Sequence, residues 1–503
     1  MIVFCKPSTT PHSALRTPHW NAGADSVQAN AVNWPVLMNS LLVSGLATLL
    51  ATGGGLLVAL AASSSQGRWR RVIVLGTIAA LVMPPFLVAN CWIDLFREDA
   101  AWRTWWPTNW PYPLSAFRFR LYSLGGAAWL LSLLTWPLSA LFVLGAWSRL
   151  ENTQLEIDPA ARGWSLARNV LWPVARPVLG PAAVLTFVLA LNNFAVPVIL
   201  QVKVFPEELW LAFTTRLDEA GAWMASLPMI IAPLLLLIVC RRTGIPWPGK
   251  DQPATGEAFW RQLRGGCGWT ARTLTALLLL LSLGLPLQQL AATKRTWTEL
   301  PNLFRAAPDT IWNSFLFAAL TATLCVLLGL VSWRLRVGPI LWLPFLVPGV
   351  LLGRAMMAGF EGTLLYGTMG IVIAAYTLRY LAPAWSLVSA ARRGVDPDLT
   401  DAAKLQGARG WMLFRHVHGP QMAGQLAAAW YATYLLCLWD VETLALIYPP
   451  GGETLALRSF NLLHYGHNAQ VNALCVVLLG LAVAPGAAWS LGRWLVLRRT
   501  SSQ

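Results

Sequence analysis

The sequence predicts an all-α, polytopic membrane protein. The 503-residue chain is 56% hydrophobic and only 12% charged, and its mean hydropathy is +0.54, unlike the composition of soluble domains. Most apolar residues fall in runs of about 18 to 27, long enough to cross a membrane as helices. These runs are apolar on every face, whereas the strands of a membrane β-barrel alternate between apolar and polar residues.

Eleven membrane spans are predicted, or twelve if a first helix precedes them. Proline and glycine interrupt many of them, which membrane helices tolerate when neighbouring helices satisfy the freed carbonyl groups. The spans are therefore expected to pack as a bundle. They lie near residues 36–62, 72–93, 122–147, 177–199, 224–240, 273–290, 313–333, 339–359, 364–390, 422–447 and 471–491.

The distribution of lysine and arginine predicts the orientation, because positively charged loops stay on the cytoplasmic side. With the C-terminus inside, the cytoplasmic loops carry about twice as many lysines and arginines as the opposite segments. Topology therefore accounts for much of the net charge of +15, and no nucleic-acid partner is expected. Those loops are 63–71, 148–176, 241–272, 334–338, 391–421 and 492–503.

A polar, turn-rich segment at 241–272 predicts a linker between two halves of the chain. We divide the sequence into a polar tail at 1–35, a first half at 36–240, this cytoplasmic linker, and a second half at 273–503. With eleven spans, the tail lies on the external side.

An internal repeat supports the two halves. Residues 153–173 read TQLEIDPAARGWSLARNVLWP, and residues 400–420 read TDAAKLQGARGWMLFRHVHGP, with nine identities over 21 ungapped positions. A second repeated feature is an Asn-Ser pair at the start of one span in each half, Asn39-Ser40 and Asn313-Ser314. Both long copies fall in predicted cytoplasmic loops, so the halves are parallel.

The second copy resembles the cytoplasmic signature of permeases in binding-protein-dependent ATP-driven (ABC) importers. That signature is Glu-Ala-Ala, three residues, Gly, nine residues, then Ile, one residue, Leu and Pro. The second copy keeps the spacing with Asp for Glu and Gly for Leu, whereas the first copy lacks both Glu-Ala-Ala and the glycine. By this resemblance, the candidate ATPase-coupling residues of the two copies are Gln154, Glu156, Ala160, Gly163, Trp164, Pro173, Asp401, Ala402, Ala403, Gly407, Trp411, Val417 and Pro420.

The resemblance implies the type I importer fold in a fused, two-half form, similar to iron(III) and thiamine permeases. It implies a bacterial inner-membrane subunit with a first coupling loop at 154–173 and a second coupling loop at 401–420, both cytoplasmic. An ABC ATPase homodimer would dock there, and a periplasmic or extracellular solute-binding protein would deliver iron(III), thiamine or another small solute. ATP and Mg²⁺ would be held by the ATPase, leaving no cofactor in this chain.

Polar side chains inside membrane spans are costly and mark candidate pathway positions. Asn193 and Asp440 each follow their loop proline by the same distance, so the repeat makes them equivalent. Arg354 and Arg379 are candidate partners of the acids, or residues that reach an interface. The candidate pathway residues are Asn192, Asn193, Asp440 and Glu442.

The sequence contains no GxxxxGK[ST] or HExxH motif, and its seven cysteines show no CxxC spacing. We therefore expect a non-catalytic subunit that binds neither ATP nor a metal. A secondary transporter or channel is the alternative function. Inverted repeats of such transporters would place the two loop copies on opposite sides.

Overall fold

A computed structural model describes residues 33–96, 121–148, 150, 162–216, 219–240, 256–263, 265–332, 339–464 and 468–501. Within these ranges the chain is helical and contains no strand. The predicted all-α fold is confirmed. The N-terminal tail and much of the linker lie outside the described residues.

The described residues of the first half form a series of helices. They are α1 (Trp34–Ser63), α2 (Gly67–Val82), α3 (Pro85–Phe96), α4 (Leu124–Trp147), α5 (Trp164–Leu166), α6 (Trp172–Asn192), α7 (Ala195–Ile199), α8 (Phe205–Leu211) and α9 (Glu219–Cys240). π-Helical turns at Ala167–Leu171 and Ala212–Arg216 complete this half.

The linker helix α10 (Gly256–Leu263) leads into the second half. Its helices are α11 (Gly266–Leu279), α12 (Leu285–Ala292), α13 (Lys294–Ala306), α14 (Pro308–Val331), α15 (Leu343–Leu346), α16 (Gly349–Phe360), α17 (Met369–Arg393), α18 (Pro397–Leu405), α19 (Gly410–Leu413), α20 (Gly419–Trp439), α21 (Leu444–Ile447), α22 (Leu455–His464) and α23 (Asn468–Ser501). π-Helical turns join α11 to α12 and α19 to α20.

Seven stretches of helix are long and apolar enough to cross a membrane, and α2 with α3 makes an eighth if that pair is one span bent by 92°. The predicted spans at 224–240, 339–359 and 422–447 correspond to shorter, broken or less apolar helices. Helix length and apolar composition therefore identify fewer membrane spans than the eleven predicted from the sequence. The count of eleven spans stays a prediction. The seven are Trp34–Ser63, Leu124–Trp147, Trp164–Asn192, Gly266–Ala292, Pro308–Val331, Met369–Arg393 and Gln470–Trp494.

The two halves repeat their local structure closely. In each, a glycine with positive φ lies at the start of a short helix, which is followed by a five-residue π-helical turn and a 21-residue helix. The Asn-Ser pairs are also equivalent: Ser40 accepts a hydrogen bond from the N–H of Phe205 at 2.7 Å, and Ser314 accepts one from Leu455 at 2.8 Å. Each pair therefore anchors the start of a loop helix, α8 or α22.

Proline explains the bend that interrupts one predicted span in each half. Met83 and Val347 have ψ of 129° and 138°, the extended backbone that the residue before a proline prefers. A helix cannot continue through such a residue, so new helices begin at Pro85 and Gly349. The spans predicted as continuous at 72–93 and 339–359 are therefore broken.

Packing joins the two halves extensively. A methyl group added to Gly54 of α1 would meet Leu278 at 3.2 Å, so α11 of the second half lies tightly against the first half. Asn90 of α3 donates to Asn472 of α23 at 2.8 Å, and both side chains are buried. A buried amide pair satisfies groups that would otherwise be costly in an apolar interior.

Candidate coupling loops and the buried ion-pair cluster

The second coupling loop folds as a helix, a tight turn and a second helix. Pro397 occupies the first turn of α18, and the Asp396 side chain caps this end by accepting from the N–H of Asp398 at 2.9 Å. At the other end Gly407 has a φ of +86°. Its N–H donates to Lys404 at 2.9 Å, while the next N–H donates to Ala403 at 3.0 Å. This pair of bonds is a Schellman cap, which requires a left-handed residue such as glycine.

The second coupling loop presents apolar side chains to solvent. No residue of α18, α19 or the π-helical turn Phe414–His418 is buried. Leu405 is 90% exposed, Trp411 72% and Met412 58%, and the Trp411 ring stacks on Phe414 with centroids 5.4 Å apart. An exposed cluster of this kind on a structured element marks a surface that contacts either another protein or the membrane.

Polar contacts brace the second coupling loop without burying it. Thr400 and the Nε2 atom of His418 lie 3.3 Å apart, and the N–H of Asp396 donates to Gln421 at 2.9 Å. Partial burial and the nearby charges of Arg392 and Lys404 lower the pKa of His418. The folded loop therefore favours the neutral form of the His418 side chain.

The predicted site residues of the second coupling loop lie together on this element. Asp401, Ala402 and Ala403 lie in α18, Val417 lies in the π-helical turn, and Pro420 lies in the first turn of α20. Sequence reasoning did not name Gly410 as a site residue. This glycine has a φ of +53° and is the first residue of α19. The Ala-Arg-Gly-Trp sequence that both copies of the repeat share could have identified this glycine.

The first coupling loop is described from Arg162 onward, so Gln154, Glu156 and Ala160 lie outside the described residues. Gly163 has a φ of +56°, almost the value of Gly410. Trp164 is 61% exposed, as Trp411 is in the other copy. Pro173 lies in the first turn of α6, as Pro420 does in α20.

The linker contacts the first coupling loop. The N–H of Gly163 donates to the Gln262 carbonyl at 2.8 Å. Phe259 and Leu263 of α10 are buried in one cluster with Leu166 of α5. From Gly163 and Gly410 onward, the two loops therefore share their local fold but differ in their surroundings.

A buried cluster of charges lies where the second half's long helix α20 ends. Nη2 of Arg379 lies 3.0 Å from Glu442 Oε2, and its Nε lies 3.7 Å from Asp440 Oδ2. Tyr380 donates to the same Asp440 oxygen at 2.7 Å. The Arg379 side chain is 6% exposed, so its carboxylate partners are needed to offset the loss of hydration.

Asn193 and Asp440 are equivalent in structure as well as in sequence. Each ends its long helix and accepts, through Oδ1, the N–H three residues on: Val196 at 3.0 Å and Thr443 at 2.9 Å. This capping explains why a polar side chain recurs there. Asn192 instead donates across the halves to the carbonyl groups of α15.

Of the two candidate arginines, Arg379 lies in this cluster, and Arg354 lies half-buried on α16. Sequence reasoning missed Tyr376, Tyr380 and Gly349, which complete it. Tyr376 and Tyr380 are one helical turn apart on α17, and that spacing was the available signal. Among the described residues, no group of His, Cys, Asp or Glu has the geometry to hold a metal ion.

Comparison with known proteins relates the chain to transport permeases, although no family model matches it. It is 30% identical over 146 residues to PhnV of Salmonella paratyphi A and of Salmonella typhimurium, named as the permease of a 2-aminoethylphosphonate transport system. The match covers 29% of this chain and 55% of each relative, so the chain spans about half of their length.

A second kind of relative is the spermidine/putrescine transport system permease PotC of Escherichia coli K12, 24% identical over 187 residues. That match covers 34% of this chain and 69% of the relative. None of these relatives is named for iron(III) or thiamine, so the predicted substrate finds no support among them. Permeases are non-catalytic membrane subunits, in agreement with the prediction that this chain is not an enzyme. The chain is therefore related to the permease subunits of binding-protein-dependent ABC importers.

Proposed function

We propose that this chain forms the translocation pathway of an ABC importer and couples it to a separate ATPase through the two coupling loops. The observation that carries the proposal is the second coupling loop: a capped, structured element without a buried residue that exposes Leu405, Trp411 and Met412. A loop that only connected two spans would have no reason to hold such apolar groups in water.

The repeat supports a single chain acting as both membrane halves. Gly163 and Gly410 adopt nearly the same positive φ, and Trp164 and Trp411 are both exposed beside them. Two such loops match the two docking positions of an ABC ATPase homodimer, which would hold ATP and Mg²⁺. The proposed arrangement places both loops and the C-terminus in the cytoplasm of a bacterial cell, with a solute-binding protein on the other side of the inner membrane.

The relatives favour a small organic amine as substrate. 2-Aminoethylphosphonate, spermidine and putrescine all carry a protonated amine at neutral pH, although only the first also carries an anionic group. We therefore propose an amine-bearing solute in place of iron(III), with iron(III) and thiamine kept as alternatives. Asn192, Asn193, Asp440 and Glu442 are proposed to lie beside the pathway, where the two halves meet.

Purification from the organism that encodes the chain tests this function. The tagged chain is extracted in a mild detergent, and mass spectrometry identifies the proteins that co-purify. We expect an ATPase with a phosphate-binding loop and a soluble binding protein. The isolated complex is then placed in liposomes, and uptake of 2-aminoethylphosphonate, putrescine, ferric citrate and thiamine is compared with and without ATP.

The outcomes separate the candidate functions. ATP-dependent uptake of an amine supports the proposal, and ATP-dependent uptake of ferric citrate or thiamine alone corrects the substrate. Uptake that follows an ion gradient and ignores ATP favours the secondary transporter and contradicts the importer.

A further inference from the structure

The linker helix α10 shows how a short helix binds the first coupling loop. The N–H of Gly163 donates to the backbone carbonyl of Gln262, in the last turn of α10, at 2.8 Å. Phe259 and Leu263 lie four residues apart and therefore on one face of α10. They are 5% and 0% exposed and pack in the same buried cluster as Leu166. The contact thus combines one backbone hydrogen bond with a pair of apolar side chains.

The second coupling loop carries an equivalent surface that no linker helix covers. Gly410 has nearly the same φ as Gly163, and Leu413 occupies the repeat position of Leu166. Leu166 is 0% exposed, whereas Leu413 is half-buried. In the part of the chain that the structure describes, the N–H of the exposed Gly410 has no acceptor. The groups that bind α10 in the first loop are therefore accessible in the second.

The surroundings of Gly410 favour a protein helix over lipid as the partner. Acyl chains offer no acceptor for a backbone N–H, and the nearby side chains of Arg409 and Arg415 are both exposed. The C-terminal turn of a helix has free carbonyl groups and a partial negative charge, which suit a backbone donor beside arginines. α10 binds the first loop through this end, since Gln262 is its last residue but one.

We propose that the second coupling loop binds the C-terminal turn of a helix of the ATPase in the way that the first loop binds α10. That helix presents a carbonyl group to Gly410 and, to Leu413, an aromatic and an aliphatic side chain four residues apart. The inference rests on the proposed function, which supplies the ATPase as partner. It also makes the two loops unequal, because α10 already covers Leu166 and leaves the exposed side with Trp164 for the ATPase.

Photocrosslinking of the whole complex tests this inference. The photoreactive amino acid p-benzoylphenylalanine replaces Leu413 in one variant and Trp411 in another. Each complex is purified from the organism that encodes the chain, irradiated and digested, and mass spectrometry identifies the crosslinked peptides. We expect the Leu413 position to crosslink to an ATPase segment that carries an aromatic and an aliphatic residue four positions apart.

A binding measurement tests the same contact from both sides. The purified ATPase is titrated onto the full chain in lipid nanodiscs. Leu413→Ala should weaken binding about tenfold, as truncation of a central interface residue does, without changing the melting temperature. Alanine at the two crosslinked ATPase residues should weaken binding similarly, with less than additive loss when both proteins are changed. The control Leu364→Ala, at a residue exposed outside the coupling loops, should leave binding unchanged.

The outcomes separate this inference from the proposed function. Crosslinks to the ATPase from the Trp411 position, with crosslinks from the Leu413 position only to lipid or to this chain, overturn the inference and leave the proposed function intact. Unchanged ATPase binding in Leu413→Ala has the same meaning. If neither position crosslinks to an ATPase, both the inference and the docking role of the second coupling loop are wrong.

Discussion

Replacing Gly407 by proline should uncouple the second coupling loop without unfolding the protein. Proline fixes φ near −65° and has no N–H, whereas Gly407 has a φ of +86° and donates to Lys404. Both bonds of the Schellman cap would be lost, at roughly 1 kcal/mol each. The forced backbone change adds about 1–2 kcal/mol.

A cost of this size exceeds what the short helix α18 can absorb. It has nine residues, none of them buried, and isolated helices of fewer than about 12 residues are marginal in water. We therefore expect α18 and the turn to unfold locally, while the melting temperature of the membrane bundle stays unchanged. ATP hydrolysis in the reconstituted complex should lose its stimulation by the loaded binding protein.

Gly407→Asn is the matched control, because asparagine tolerates the left-handed conformation and keeps the N–H. It should retain most of the stimulation. Normal stimulation of ATP hydrolysis in Gly407→Pro would refute the reasoning. An equal loss of stimulation in both variants would show that the left-handed turn is not the cause of the loss.

Three further substitutions test separate parts of the structure. Trp411→Asp should abolish co-purification of the ATPase, because a charge replaces the exposed aromatic group that is proposed to dock. The control is Leu364→Asp, at a residue that is 98% exposed outside the coupling loops, and it should leave co-purification intact. Gly349→Ala should cost about 1–3 kcal/mol by overpacking and lower the melting temperature in detergent, whereas Gly359→Ala has open space around it and should not. Ser314→Ala should cost about 1–3 kcal/mol, because it leaves the buried N–H that starts α22 without an acceptor.

The control for Ser314→Ala is Ser490→Ala, whose hydroxyl bonds only within its own exposed turn. The equivalent change Ser40→Ala should resemble Ser314→Ala, because Ser40 accepts from Phe205 in the same way. Melting temperatures that differ little between Ser314→Ala and Ser490→Ala would contradict the anchoring role.

The coupling-loop turn was predictable from sequence because it is local. The resemblance to the permease signature, which spans only about 20 residues, singled out Gly407, and the structure places it at a left-handed cap. The equivalence of Asn193 and Asp440 followed from the repeat in the same way. Patterns of this kind are visible because neighbouring residues determine the conformation.

The buried cluster was only partly predictable because its members are distant in sequence. Arg379 was one of two candidate partners for the acids, and nothing in the sequence favoured it over Arg354. Gly349 gave no signal either, since its role depends on how closely α16 approaches the ion pair. Such three-dimensional contacts depend on packing between helices.

The bent spans show the limit of hydropathy. Residues 72–93 read as one apolar run, yet Pro84 and Pro85 divide them into helices that meet at 92°. Hydropathy reports which residues avoid water, and it carries no information on the direction of a helix after a proline.

Native mass spectrometry of the purified complex tests the central claim most directly, because it counts subunits. A chain that supplies both membrane halves and both coupling loops predicts one copy of this protein with two copies of the ATPase. An assembly with two copies of this chain for each ATPase pair, or a chain that binds no ATPase, would contradict the account.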